Sequence, residues 1–198
     1  MMQLGLFGEK YNLEWQVIED TLKEEAERMQ AETLEMLCHI APHDKIPCLP
    51  VRIIEGGRHG GGALMEERSS GEMYIGIEID NIQLSSTLRA IINSHEATHY
   101  FHLATKPSDC IYSSPCNETY RELVAIAGSF LYVSHTLSEQ EFINNVRKSG
   151  TLHERAFVKL LEQENALAII PHLLLDRTRE SSVMNITGRI MQFMEEVQ

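Results

Sequence analysis

His95-Glu96-Ala97-Thr98-His99 is the stretch on which the reading of this 198-residue chain turns. Histidines four residues apart on a helix lie one turn above each other, so both imidazoles leave the same face and can bind one metal ion. The surrounding pattern is helical. Leu88, Ile92, His95, His99 and His102 recur at 3–4 spacing, Ser85 or Ser86 can cap the start, and Lys106-Pro107 stops the helix after about Thr105. The two histidines therefore project from an otherwise buried face, where an imidazole without a partner is costly. Glu96 falls beside the open position of a metal held there, placed to take a proton from a water and to hand it on later.

Downstream, Ser114-Pro115 is a start signal for a helix reaching about Val133. Glu118 and Glu122 stand one turn apart on it, among Leu123, Val124, Ala127 and Phe130, which mark the helix as largely buried. One carboxylate can serve as third metal ligand while the other holds a ligand histidine by its second ring nitrogen. Glu118 is the expected ligand, because only that choice leaves a polar residue four positions on. Glu122 as ligand, with Ala125 three positions on, is the alternative register. Zinc suits two imidazoles and a carboxylate, and lowers the pKa of a bound water to about 7. An oxyanion would need a further donor, for which His102, Tyr112 and His153 are candidates.

At these residues the chain resembles gluzincin-type zinc peptidases: HExxH, then eighteen intervening residues before Glu118 of Asn117-Glu118-Thr119-Tyr120-Arg121-Glu122. It is most similar to the ImmA/IrrE-type metallopeptidases, whose second motif corresponds to Glu118-Thr119-Tyr120-Arg121-Glu122-Leu123-Val124-Ala125. The resemblance spans roughly residues 45–135. It implies His95, His99 and Glu118 as zinc ligands, Glu96 as base and acid, Glu122 behind them, and a regulatory protein as the substrate. The chain departs from the family at Ala97-Thr98, at Arg121, and at Gly128-Ser129-Phe130-Leu131-Tyr132.

Upstream, apolar residues at Trp15, Ile18, Leu22, Ala26, Met29, Leu34 and Leu37 predict an amphipathic helix from Leu13 to about Ile40, ended by Ala41-Pro42-His43-Asp44. Three segments rich in β-formers follow, Pro50–Ile54, Gly62–Met65 and Met73–Asp80, joined by glycine-rich turns that suggest an antiparallel meander. The family order makes Met73–Asp80 an edge strand, along which a substrate would lie. The glycine run at 56–62 lacks the Lys-Ser/Thr ending of a phosphate loop and reads as a hairpin turn. Ser138 with Glu141 and Thr151 with Glu154 resemble capping boxes, and a last helix runs from about Ser181 to Val197. Phe157, Leu160, Leu161 and Ile169 are expected to help bury the sheet.

The expected fold is therefore α+β: a small antiparallel or mixed sheet, a zincin-like active-site helix with a glutamate helix, and a helical C-terminal half. One domain covers residues 1–198, divided into an N-terminal helix (1–44), a metal-binding core (45–135) and a helical part (136–198).

Composition fits an ordinary globular protein, at 43% apolar and 23% charged residues. A net charge of −12 without a Lys/Arg cluster argues against a nucleic-acid partner. Apolar stretches such as Leu123–Val133 and Ala166–Leu175 are too short or interrupted to span a membrane. The first residues lack a basic leader and a long apolar run, so a cytoplasmic address with free thiols at Cys38, Cys48, Cys110 and Cys116 is expected. The function expected is hydrolysis of a peptide bond in a cytoplasmic protein. The alternatives are a zinc-binding regulatory or interaction module without significant proteolysis, and a hydrolase of another class on the same metal core.

Overall fold

Leu22, Ala26, Met29, Leu34 and Leu37 are the positions at which helix α1 (Leu4–Ile40) meets the rest of the protein. The computed structural model describes residues 4–57, 61–105, 115–163, 166–175 and 181–197. Helix α1 begins at Leu4 rather than near Leu13, because the 3–4 apolar repeat runs back through Tyr11 and Phe7 to Leu4. Its buried stripe starts later than the pattern suggests: Trp15 is half exposed and Ile18 only partly covered.

Three strands, β1 (Val51–Ile54), β2 (Gly62–Glu66) and β3 (Met73–Glu78), form a sheet in the order β1-β3-β2. Strand β3 runs parallel to β1, with Val51 opposite Ile75, and antiparallel to β2, with Leu64 opposite Ile75. The sheet is mixed, and the antiparallel meander is corrected. Residues 75–78 are all buried, which seats β3 in the middle, while β1 and β2 each bury only their first residue. Met73–Asp80 is thus no edge. Its strand ends at Glu78 in a 3-10 turn (Ile79–Gln83), and both of its sides are paired. Ile75, Ile77 and Val51 pack with Ala26 of α1. Phe157, Leu160 and Ile169 lie in a separate helical cluster, so α1 and not the C-terminal part covers this sheet.

Helix α2 (Ser86–Thr105) is capped by Ser85, whose Oγ accepts the Leu88 N–H at 3.2 Å. Arg89 fixes it to α1 and to the chain before it, donating to Glu25 and to the Leu84 carbonyl, each at 2.7 Å. Helices α3 (Pro115–Thr136), α4 (Glu139–Ser149), α5 (Leu152–Gln163), α6 (Ala166–Leu175) and α7 (Ser181–Val197) follow. Leu123, Phe130, Phe142, Phe157, Leu160, Leu173 and Ile190 share one core with Phe101 of α2. Ser138 caps α4 through the Glu141 N–H, but the Glu141 carboxylate accepts instead from Thr87 Oγ1 of α2. Thr151 and Glu154 close a full capping box on α5: Glu154 Oε2 accepts the Thr151 N–H at 2.6 Å, and Thr151 Oγ1 accepts the Glu154 N–H at 3.3 Å.

The crossing of α2 and α3 sets the distance between their side chains. A Cβ added at Gly128 of α3 would lie 2.2 Å from Thr98 Oγ1 and 2.8 Å from Thr98 Cβ, so only glycine allows this approach. Gly128→Ala should destabilise the protein by about 1–3 kcal/mol, the usual cost of overpacking. Chemical denaturation checks it, and Thr98→Gly in the same chain should restore part of the loss.

Candidate metal centre

Helix α2 carries His95 and His99 to one face, with ring centroids 4.6 Å apart and the rings edge to face. Helix α3, brought close at Gly128, delivers Glu122 between them. Glu122 Oε2 lies 3.4 Å from His95 Nε2, and Oε1 lies 3.4 Å from His99 Nε2. One ligand atom from each of the three residues falls within 4.8 Å of the others.

Glu118, the expected third ligand, does not join this group. It is exposed in the first turn of α3 and reaches only the wall of the same cleft. The reason is position along the helix. Glu122 is one turn nearer the Gly128 crossing, and four residues of helix are about 6 Å.

Electrostatics couple the three groups. Burial alone pushes the Glu122 carboxyl up, but hydrogen bonding and charge from His95 and His99 hold it far below the ordinary carboxylate range. Burial alone pushes His95 down, yet the Glu122 hydrogen bond and the charges of Glu96, Glu122 and Glu154 outweigh it, and the net shift is upward. His95 Nδ1 is buried and has no hydrogen-bond partner among the described residues.

The residues fit zinc. Ligands about 2.0–2.1 Å from a tetrahedral ion stand roughly 3.3 Å from one another; here each imidazole Nε2 lies 3.4 Å from a different Glu122 oxygen, and one ligand atom from each residue falls within 4.8 Å of the others. Two nitrogens and a carboxylate are a three-ligand set that leaves a fourth position open.

The site opens into a cleft of about 750 Å³. Glu96, largely buried, stands on its wall, as do Gly62, Ala63 and Leu64 of β2. Strand β2 approaches α2 so closely that a Cβ at Gly62 would lie 3.0 Å from Ile92 Cγ2 and 3.1 Å from Glu96 Cγ. The turn into β2 is fixed where Gly61, at φ +110°, donates its N–H to Glu78 Oε2 and accepts from Asn81 Nδ2.

His102 is off the cleft wall: it is buried, edge-on to Tyr120, with centroids 5.5 Å apart. His153 does not line the cleft either. Tyr112, Ser114, Cys110 and the side chain of Cys116 lie outside the described residues, and Cys38 and Cys48 carry free thiols. Two charged cleft residues went unread in the sequence as parts of the site. Glu154 was legible only as a helix cap, and Arg121 only as a departure from a motif.

Compared with known protein families, with curated proteins and with solved structures, the chain matches none. Among the described residues no helix is long and apolar enough to cross a membrane.

Proposed function

We propose that this chain is a zinc-dependent peptidase in which His95, His99 and Glu122 hold the ion and Glu96 is the base. The observation that carries the reading is the meeting of two imidazoles and one carboxylate at 3.4 Å, with a second, buried carboxylate on the same cleft wall. Zinc, when bound, supplies a Lewis acid that acidifies water and polarises a carbonyl.

The remaining work falls to the chain. Glu96 takes the proton of the attacking water and returns it to the departing amine nitrogen. Strand β2 orients the substrate: one side is paired with β3, and the other is a sheet edge beside the cleft, where an extended peptide can add as a further strand. This moves the substrate from Met73–Asp80 to Gly62–Glu66. The remaining walls of the cleft come from α2, α3 and the corner between α4 and α5. A protein substrate, selected by surfaces beyond the metal ligands, is the expected partner.

A carboxylate on the wall that leaves the metal to others favours chemistry over a module that only binds zinc. The test is to incubate zinc-loaded and chelator-treated protein with a lysate of the source cell and with casein. Metal-dependent cuts in few lysate proteins, with casein largely spared, are expected. Zinc-loaded protein that cuts nothing would favour the interaction module, and rapid cutting of casein at many sites would make this a general protease.

A further inference from the structure

Glu78 and Asn81 are buried polar side chains, 4% and 2% exposed, that the chemistry above does not use. Both act on Gly61. Its N–H donates to Glu78 Oε2 at 2.9 Å, and its carbonyl accepts from Asn81 Nδ2 at 2.7 Å and from the Glu78 N–H at 3.0 Å. Strand pairing needs only the last of these bonds. The held residue stands at the head of β2, hard against α2: a Cβ on Gly61 would lie 2.5 Å from Ile92 Cδ1, and one on Gly62 would lie 3.1 Å from Glu96 Cγ. Gly61 is thus where the height of β2 over α2 is set, one residue before the strand meets Glu96.

Pairing also fixes which way the main chain of β2 faces. Glu78 donates to the Gly61 carbonyl and Glu67 to the Glu72 carbonyl, both in the register that sets Leu64 opposite Ile75. Such bonds recur at every second residue of an antiparallel pair. Gly61, Ala63, Met65 and Glu67 therefore face β3, and Gly62, Leu64 and Glu66 turn their N–H and C=O groups to the open edge. Of these, Gly62 and Leu64 line the cleft.

Resting on the peptidase reading above, we propose that Glu78 and Asn81 are positioning residues for the substrate. By holding Gly61 against α2, they set the outward groups of Gly62 and Leu64 where an extended peptide can pair with them and still reach Glu96 and the metal. The strand that aligns the peptide and the helix that cuts it are tied together by side chains that touch neither peptide nor metal.

The experiment is calorimetric titration of the zinc-loaded full chain with two probes, with melting temperatures recorded alongside. Acetohydroxamate meets only the metal and its neighbours, whereas acetyl-trialanine hydroxamate adds an extended main chain. Wild type should bind the second at least about 10-fold more tightly, the scale of two added main-chain hydrogen bonds. Asn81→Ala, Glu78→Ala and Leu64→Pro should each lose most of that excess and bind acetohydroxamate as before. Leu64→Pro removes an outward N–H and no bond to β3, a change that an edge strand tolerates. Glu78→Gln keeps an oxygen to accept the Gly61 N–H and should recover part of the loss.

An undiminished excess in any of the first three variants, or no recovery in Glu78→Gln, overturns the proposal. Should the two alanine variants fail to fold, Gly62→Ala decides. Its Cβ presses on Ile92 and Glu96 and moves the edge with Glu78 and Asn81 in place, so the excess should fall there too, and an unchanged excess overturns the proposal. The two probes separate the two levels. Wild type that binds acetohydroxamate without any gain for the tripeptide refutes only the role of Glu78 and Asn81. Zinc-loaded wild type that binds neither refutes the metal centre, and the proposal falls with it.

Discussion

Glu122→Ala should strip the protein of zinc, and Glu118→Ala should leave it bound. The two residues are the same type, one turn apart on one helix, and only Glu122 lies against both imidazoles. Removing one of three protein ligands costs several kcal/mol of binding, and at about 1.4 kcal/mol per tenfold the affinity should fall by at least two orders of magnitude. Glu118 is exposed, and substitutions at such positions usually stay within about 0.5 kcal/mol. Chelator competition on the two variants measures both effects. The reverse order would restore Glu118 as the ligand and displace the geometry described above.

Glu96→Gln should keep its zinc and lose its hydrolysis. The amide matches the carboxylate in size, which matters where β2 packs within about van der Waals reach of Glu96. What the change removes is the capacity to accept a proton, and general acid–base catalysis contributes typically about 10²–10⁴-fold. The drop should fall on kcat, read on whichever lysate protein the wild type cuts, while zinc content and melting temperature stay at wild-type values. Turnover at the wild-type rate would make Glu96 a bystander.

Much of the architecture was readable wherever a local rule decides it. The start of α2 at Ser85 and the Thr151–Glu154 box follow from hydrogen bonds within one turn of chain. So does the shared face of His95 and His99. Non-local features were less accessible. Glu118 and Glu122 occupy the same helical face, so no periodicity separates them. The choice is made where α2 crosses α3, at a contact between Gly128 and Thr98 that lie thirty positions apart in sequence.

The sheet shows the same limit. Its β-forming residues identified β3 as a strand, yet β1 joins it in parallel across a connection whose path local pattern does not encode. Residues 75–78 bury both faces of the strand. Glu154 reads as a helix cap because it is one. Its place on the cleft wall appears only once α5 is folded against the rest.

His95, His99 and Glu122 are proposed to form one metal site. Metal analysis of purified protein, wild type beside the His95→Ala/His99→Ala double variant, tests it most directly. Close to one zinc per chain is expected in the wild type and none in the double variant, with the helical fold retained by circular dichroism. Full zinc occupancy in the double variant would contradict it.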